Sequence, residues 1–207
     1  MATALIQARW PQIVQLLPEV VEGPGTMLYV GANKDRHHYM PEFYAAGYKI
    51  TLLEVWEPYL QEMAKKEMVR RAVLGSVVQA DHLELGESMF DIAFWWHGPE
   101  HVSAEDMPQA LFALEHITRK YVILGCPWGR YPQGIVHGNP YETHVQTLLP
   151  EDFQKYGYQT RTLGTRDVID SNVLAWKKLR FQTRRRSHDF SKWAETLQGN
   201  VGGPTDL

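Results

Sequence analysis

The sequence has a single cysteine and no long apolar run, and both features narrow the class of protein. Cys126 alone among 207 residues excludes an intramolecular disulfide framework and any zinc site built from several cysteines. No apolar run approaches the roughly 20 residues that a membrane helix needs, and the N-terminal segment lacks the apolar stretch of a signal peptide. We therefore expect a cytoplasmic protein without a membrane partner.

The chain also lacks an excess of charge of either sign. Its 21 basic and 24 acidic residues give a formal net charge of -3, so no global field would attract nucleic acid. With 44% hydrophobic and 22% charged residues, the chain suits one globular domain with a substantial core. We expect this domain to span residues 1–180, including an N-terminal helix. A basic extension with a flexible end is expected over residues 181–207.

Short apolar runs alternate with helical patterns along the chain. The predicted strands are Thr26 to Val30, Lys49 to Glu54, Ser76 to Ala80, Phe90 to Trp96 and Tyr121 to Cys126, followed by 159–163 and 173–177. Helical patterns cover Pro58 to Arg70, Ser103 to His116 with Ser103 as its cap, and a short segment over 150–157. Apolar strands separated by helices predict an α/β fold with a mostly parallel sheet covered on both faces.

Chemically informative residues follow the ends of the predicted strands, where parallel sheets bind their ligands. Gly31 follows the first strand and lets backbone amides approach a ligand. Glu54 ends the second strand, where a carboxylate can accept hydrogen bonds from both hydroxyls of a ribose. Asp81 follows the third predicted strand and can accept from an adenine amino group. Trp95 and Trp96 reach the same edge, where an aromatic face attracts a cation.

Each of these residues also has a purely structural explanation, which the sequence leaves open. Gly31 is also explained by a tight turn, and Glu54 by a solvated acid at a strand end. Asp81 suits the cap of a turn, and the two tryptophans suit the core or the wall of a groove.

Three histidines are candidate general bases, because an imidazole with a pKa near neutrality can take a proton from a hydroxyl group. These residues are His97, His101 and His144. His97 and His101 have the spacing of two metal ligands on a helix, but Gly98 and Pro99 between them disfavour that helix. We therefore expect no metal site, and we expect Cys126 to be a buried small apolar residue.

A long loop over Pro127 to Pro150 follows the fifth predicted strand. Loops of this length inside a compact domain are usually functional or disordered, and this one is too aromatic for simple disorder. Its candidates for substrate binding are Trp128, Tyr131, Asn139 and Tyr141. The alternative explanation is that the loop packs against the domain and has only a structural role.

Five segments in this order resemble class I S-adenosylmethionine-dependent methyltransferases. They are "TMLYVGANKD", "ITLLEVWEPYL", "VVQADHLEL", "FDIAFWWHGPEHV" and "YVILGCPWG", which cover roughly residues 27–129. The later "GCPWGRYPQG" and "GNPYETHVQTLLPEDFQKYGY" are similar to small, type-11-like members of that superfamily. The resemblance implies a Rossmann-like, doubly wound sheet of seven mostly parallel strands with an antiparallel last strand. It also implies S-adenosylmethionine as cofactor.

The first motif departs from the pattern of that superfamily, which has an acidic residue followed by G-x-G-x-G. Tyr29 stands at the acidic position, and Asn33 and Asp35 replace the second and third glycines. S-adenosylmethionine carries no phosphate, so its loop need not be a dense anion cradle. We expect Asn33 to adopt a left-handed backbone and Asp35 to face the amino group or the sulfonium of the cofactor.

Methyl transfer to a small-molecule or sugar-like acceptor, at oxygen, is the leading hypothesis. Its expected cofactor-binding residues are Gly31, Asn33, Asp35, Glu54, Val55, Asp81, His82, Trp95 and Trp96. One alternative is a non-catalytic nucleoside-binding or partner-binding module. Another is a protein or RNA methyltransferase, which only the basic cluster Arg184 to Arg186 favours, and a nicotinamide-dependent oxidoreductase would need the missing glycines. No oligomeric state is predicted.

Overall fold

The computed structural model describes residues 10–21, 23–83, 85, 89–179 and 189–199. Its strands are β1 Thr26–Val30, β2 Lys49–Glu54, β3 Val69–Leu74, β4 Phe90–Trp96, β5 Thr118–Pro127, β6 Gln159–Leu163 and β7 Asn172–Lys178. Its α-helices are α1 Trp10–Leu16, α2 Pro18–Val21, α3 Met40–Ala45, α4 Glu57–Met63, α5 Met107–Ile117, α6 Pro150–Gln154 and α7 Phe190–Gly199. Short 3-10 helices span Val77–Gln79, Pro99–His101 and Pro140–Glu142.

The seven strands form one sheet in the order β3-β2-β1-β4-β5-β7-β6. The first five strands pair in parallel, and β7 is inserted antiparallel between β5 and β6. The order reverses beside β1, whose neighbours are β2 and β4, and ligands of such sheets bind at a reversal of this kind. The predicted doubly wound α/β fold with one antiparallel strand is therefore confirmed.

Alternate residues of the central strands pack into two hydrophobic layers, one on each face of the sheet. On β1, Leu28 and Val30 belong to one layer, whereas Met27 and Tyr29 belong to the other, because successive side chains of a strand point to opposite faces. Helix α5 covers the first layer, and α1 and α3 cover the second. Cys126 lies in the first layer with no exposed surface, which confirms that it is a buried apolar residue.

The third strand lies elsewhere than the sequence pattern predicted, so the prediction of a strand over Ser76 to Ala80 is wrong. β3 precedes this segment and forms an edge of the sheet. Its exposed Arg70 and Arg71 interrupt the apolar run that marks a buried strand. The predicted segment forms a 3-10 turn instead, because the Ser76 hydroxyl accepts a hydrogen bond from the backbone N–H of Val78 at 3.3 Å.

All three helices predicted with bounds are shorter than expected, and the one over 150–157 ends at Gln154. Helix α4 ends at Met63 and does not continue to Arg70, because the chain turns there into β3. Helix α5 begins at Met107, since the Ser103 hydroxyl caps a separate turn by accepting from the backbone N–H of Asp106 at 3.1 Å.

Helix α7 is the described part of the C-terminal extension, and it packs on the domain through Trp193. The indole N–H donates to the carboxylate of Glu115 at 3.2 Å, and the ring stacks on Tyr156. The basic cluster Arg184 to Arg186 lies outside the described residues. Within the described ranges, every helix is too short or too polar to cross a bilayer.

Candidate functional site

The strand register brings several chemically useful residues to one edge of the sheet. Val30 at the end of β1 is aligned with Leu53 of β2 and with Trp95 of β4. The residues that follow, Gly31 and Glu54 among them, therefore lie side by side at the carboxyl ends of the strands. A cleft of about 360 Å³ opens at this edge, a size typical of small-molecule sites.

Glu54 is a buried carboxylate in the wall of this cleft, with a relative exposure of 5%. One oxygen accepts from the backbone N–H of Ala32 at 3.0 Å, and the other accepts from that of Trp56 at 2.8 Å. These bonds orient the carboxylate in the wall of the cleft. Burial raises the pKa of Glu54 to about 7, although backbone donors at Trp56, Ala32 and Val55 favour the charged form.

Gly31 and Asn33 shape the loop after β1 in different ways. Gly31 has a φ of 71°, and a side chain built there would meet no atom within 4 Å, so its backbone is open to the cleft. The expected left-handed backbone at Asn33 is wrong, because Asn33 is not among the residues with positive φ. Its buried side-chain oxygen accepts instead from the backbone N–H groups of Asp35 and Arg36, at 2.9 and 2.8 Å. The loop is therefore shaped by an Asx turn.

Trp95 and Trp96 close the inner wall of the cleft at the end of β4. Both are 3% exposed and contribute to the hydrophobic layers on opposite faces of the sheet. Glycine is required at position 98, because any side chain there would overlap the indole of Trp95. The two tryptophans are therefore core residues whose edges also line the site.

A second cavity, of about 390 Å³, adjoins the cleft. Arg36, His38, His97 and His101 line both spaces. Burial, followed by the neighbouring His97, lowers the pKa of His38 to about 3, so His38 is a neutral imidazole where the spaces meet.

Glu100 lies at the centre of a histidine cluster in the second cavity. It is 2% exposed, and its Oε1 lies 3.3 Å from His97 Nδ1 and 3.8 Å from His144 Nε2. The rings of His101 and His144 contact each other edge to face, with centroids 4.8 Å apart. Burial raises the pKa of Glu100 and lowers that of His101. This cluster combines the predicted catalytic histidines with an acid that the sequence did not single out.

The loop after β5 folds back over both cavities. At one end, Glu142 accepts from Asn33 Nδ2 at 3.3 Å and pairs with Arg36 at 3.5 Å. Further along, the backbone N–H of Val145 donates to the carbonyl of Glu100 at 2.9 Å. The loop is thus joined to the segments after β1 and after β4 and forms a wall of both spaces.

Most of the residues predicted to bind a cofactor line the cleft. Those that line it are Gly31, Asn33, Glu54, Val55, Trp95 and Trp96. Asp35 lines the adjoining cavity instead, and Asp81 and His82 line neither space. Asp81 Oδ1 is buried without a hydrogen-bond partner among the described residues. Ser76 lies in the cleft at the end of the β3 segment, where the misplaced strand had put Asp81.

The residues predicted to bind the acceptor are divided between the two spaces. Tyr131 lines the second cavity, whereas Asn139 and Tyr141 line the cleft, and Trp128 packs against the core. All three candidate bases line the second cavity. Sequence reasoning missed Glu142, and the only local signal for it was its position in a long aromatic loop.

Comparisons with known proteins identify the fold. No family model matches the chain, and no curated protein sequence is significantly similar to it. The 1,6-didemethyltoxoflavin-N1-methyltransferase of Burkholderia thailandensis, with bound 1,6-didemethyltoxoflavin and S-adenosylhomocysteine, matches with a TM-score of 0.60 at 16% identity, over 86% of this chain and 79% of that chain. The magnesium protoporphyrin IX methyltransferase of Synechocystis PCC 6803, with bound S-adenosylhomocysteine, matches with 0.58 at 13%, over 84% and 83%. The N-methyltransferase NodS of Bradyrhizobium japonicum WM9 matches with 0.56 at 9%, over 86% and 97%. The chain therefore has the fold of class I methyltransferases.

Proposed function

We propose that this protein is an S-adenosylmethionine-dependent methyltransferase that acts on a small polar acceptor. The observation that carries the proposal is the buried carboxylate of Glu54 beside the open backbone of Gly31, at the reversal point of the sheet. The two similar structures that contain bound S-adenosylhomocysteine support the choice of cofactor.

The cleft fits a nucleoside with an attached amino acid. The buried carboxylate of Glu54 lines the cleft and can accept hydrogen bonds from the hydroxyl groups of a ribose. Apolar side chains of Leu53, Val77 and Val78 line the same cleft and suit the faces of an adenine ring. The missing glycines of the first-strand loop disfavour a pyrophosphate cofactor such as NAD more than they disfavour S-adenosylmethionine.

The second cavity suits an acceptor, because it meets the cleft at His38, His97 and His101. S-adenosylmethionine supplies an activated methyl group, so the protein has to align the acceptor with that group and exclude water. The acceptor oxygen forms a bond to the methyl carbon as the carbon–sulfur bond breaks, and the sulfur keeps that electron pair. The hydroxyl proton passes to an imidazole that lines both spaces, that of His97.

Calorimetry with S-adenosylhomocysteine tests the cofactor assignment. The Glu54→Gln variant should bind more weakly by about 1.5 to 3 kcal/mol, or about 10- to 150-fold in Kd, because it loses a charged acceptor for two hydroxyls. Glu57→Gln is the matched control, since Glu57 is exposed and bonds to Gln61 on α4. Equal affinities for the wild type and for Glu54→Gln would remove Glu54 from the ribose site.

The same titrations separate the alternative functions. A protein that binds NADH and does not bind S-adenosylhomocysteine would be an oxidoreductase. One that binds S-adenosylhomocysteine but transfers no methyl group to a panel of small hydroxyl and amine acceptors, to protein or to RNA would be a binding module. A methyltransferase of protein or RNA would transfer methyl groups to those polymers alone.

A further inference from the structure

The geometry points to a divalent transition-metal site in the second cavity, formed by Glu100, His101 and His144. One ligand atom of each residue lies within 4.8 Å of the others. The inference deepens the proposed function, because the cavity is the one assigned to the acceptor, but metal binding is measurable without catalysis.

The two histidines are held in the tautomer and orientation that metal binding requires. His101 Nδ1 lies 3.2 Å from the backbone carbonyl of Thr143, and His144 Nδ1 contacts the backbone carbonyl of Tyr131. A carbonyl oxygen only accepts, so both Nδ1 atoms carry a hydrogen, and Nε2 is the atom through which each ring in its neutral form can bind a metal ion. Ligating histidines are commonly anchored through their other ring nitrogen in this way.

Glu100 supplies the second, independent indication of a ligand. It is buried at 2% exposure and lines the cavity, and its Oε2 has no hydrogen-bond partner among the described residues. A buried carboxylate oxygen without a partner is unfavourable, and a cation bound beside it would remove that cost. Its other oxygen is oriented by His97, whose Nδ1 lies 3.3 Å away while Asn172 Nδ2 lies 3.3 Å from His97 Nε2.

The distances suit an ion of the size of Zn²⁺ or Co²⁺. Ligands at about 2.0 to 2.2 Å from a tetrahedral ion lie roughly 3.5 Å apart, and His144 Nε2 already lies 3.8 Å from Glu100 Oε1. Two imidazoles and one carboxylate favour Zn²⁺, Fe²⁺ or Co²⁺ over Mg²⁺, which prefers oxygen ligands. Three protein ligands leave a coordination position open to the cavity, where an acceptor oxygen could bind.

The ligand set could not be anticipated from sequence spacing. The sequence predicts no metal site, because a glycine and a proline interrupt the helix that would place His97 and His101 on one face. The cluster uses His101 with Glu100 beside it and takes His144 from the distant loop after β5, while His97 orients the carboxylate.

Metal binding is tested by stripping the purified protein with a chelator and titrating it with Zn²⁺, Co²⁺ and Mg²⁺. We expect each chain to bind one Zn²⁺ tightly. Co²⁺ should compete with Zn²⁺ for the site and show the visible absorption bands of a low-symmetry complex, and Mg²⁺ should not compete. Glu100→Gln and His144→Ala should each weaken Zn²⁺ binding by about 100-fold or more, since changing a residue that only supports a ligand already lowers affinity by about 10- to 100-fold.

His37→Ala is the matched control, because His37 lines the same cavity outside the cluster, and it should keep wild-type affinity. His144→Gln serves as a second variant if His144→Ala does not fold, and circular dichroism checks each protein. Absence of a tight equivalent in the wild type, or equal affinity in the wild type and in Glu100→Gln, would overturn the metal site. If the wild type binds S-adenosylhomocysteine but not Zn²⁺, the metal site is wrong and the proposed function stands. If it binds Zn²⁺ tightly but not S-adenosylhomocysteine, the proposed function is wrong and the metal site stands.

Discussion

The affinity for S-adenosylhomocysteine should depend on pH through Glu54. The folded, unliganded protein holds the pKa of this buried carboxyl group at about 7, above its ordinary value, chiefly because burial disfavours the charge. Ribose hydroxyls donate to the ionised form, so the ligand selects the deprotonated state. Affinity is therefore nearly full at pH 8 and falls as the pH drops through 7.

The expected size follows from simple proton competition. With a pKa of about 7, the apparent Kd rises by about twofold at pH 7 and by about tenfold at pH 6, relative to the limit at high pH. Calorimetry or ligand-induced thermal shifts between pH 6 and 8 measure this change, and S-adenosylhomocysteine itself changes no charge in that range. Glu54→Gln should give a flat profile, and Glu57→Gln should retain the slope. A wild-type profile that is flat, or a slope that persists in Glu54→Gln, would refute the reasoning.

Two further substitutions test the loop and the C-terminal helix. Asn33→Asp keeps the oxygen that forms the Asx turn, but it replaces the amide that donates to Glu142 with a second negative charge. Amide hydrogen exchange over residues 133–146 should therefore become faster, with a loss of about 0.5 to 1.5 kcal/mol in the free energy of protection. Unchanged exchange would show that this contact does not hold the loop. Glu115→Ala removes the partner of Lys177, held at 2.8 Å, and of the Trp193 indole, and should lower the free energy of unfolding by about 1 to 3 kcal/mol. A denaturant midpoint equal to that of the wild type would contradict a structural role for Glu115.

The central strands were predictable because their signals are local. β1, β2 and β4 are apolar runs ended by a glycine, an acid or a polar turn, and their observed bounds equal the predicted ones. β3 was missed because it is an edge strand that exposes Arg70 and Arg71. Its sequence therefore lacks the continuous apolar run by which buried parallel strands are recognised.

The candidate site was predictable only where its residues follow a strand directly. Gly31 and Glu54 take their positions from the register of β1 and β2, which sequence order nearly determines. The position of His144 depends on how the loop returns to the sheet, and that path is set by contacts such as those of Gln146 Nε2 with the carbonyls of Pro99 and Val102. Contacts between residues more than forty positions apart leave no pattern in a single sequence.

The single thiol of Cys126 has a practical consequence for studying this protein. It lies without exposed surface near the carboxyl end of β5, and burial raises its pKa well above the ordinary value, so a thiol-directed reagent finds no reactive thiolate in the native molecule. Each labelled chain has therefore passed through an opening that exposes this end of β5. The rate at which the thiol is labelled therefore reports how often the native protein opens, and a ligand that stabilises the protein is detected as a slower rate without engineering any further cysteine.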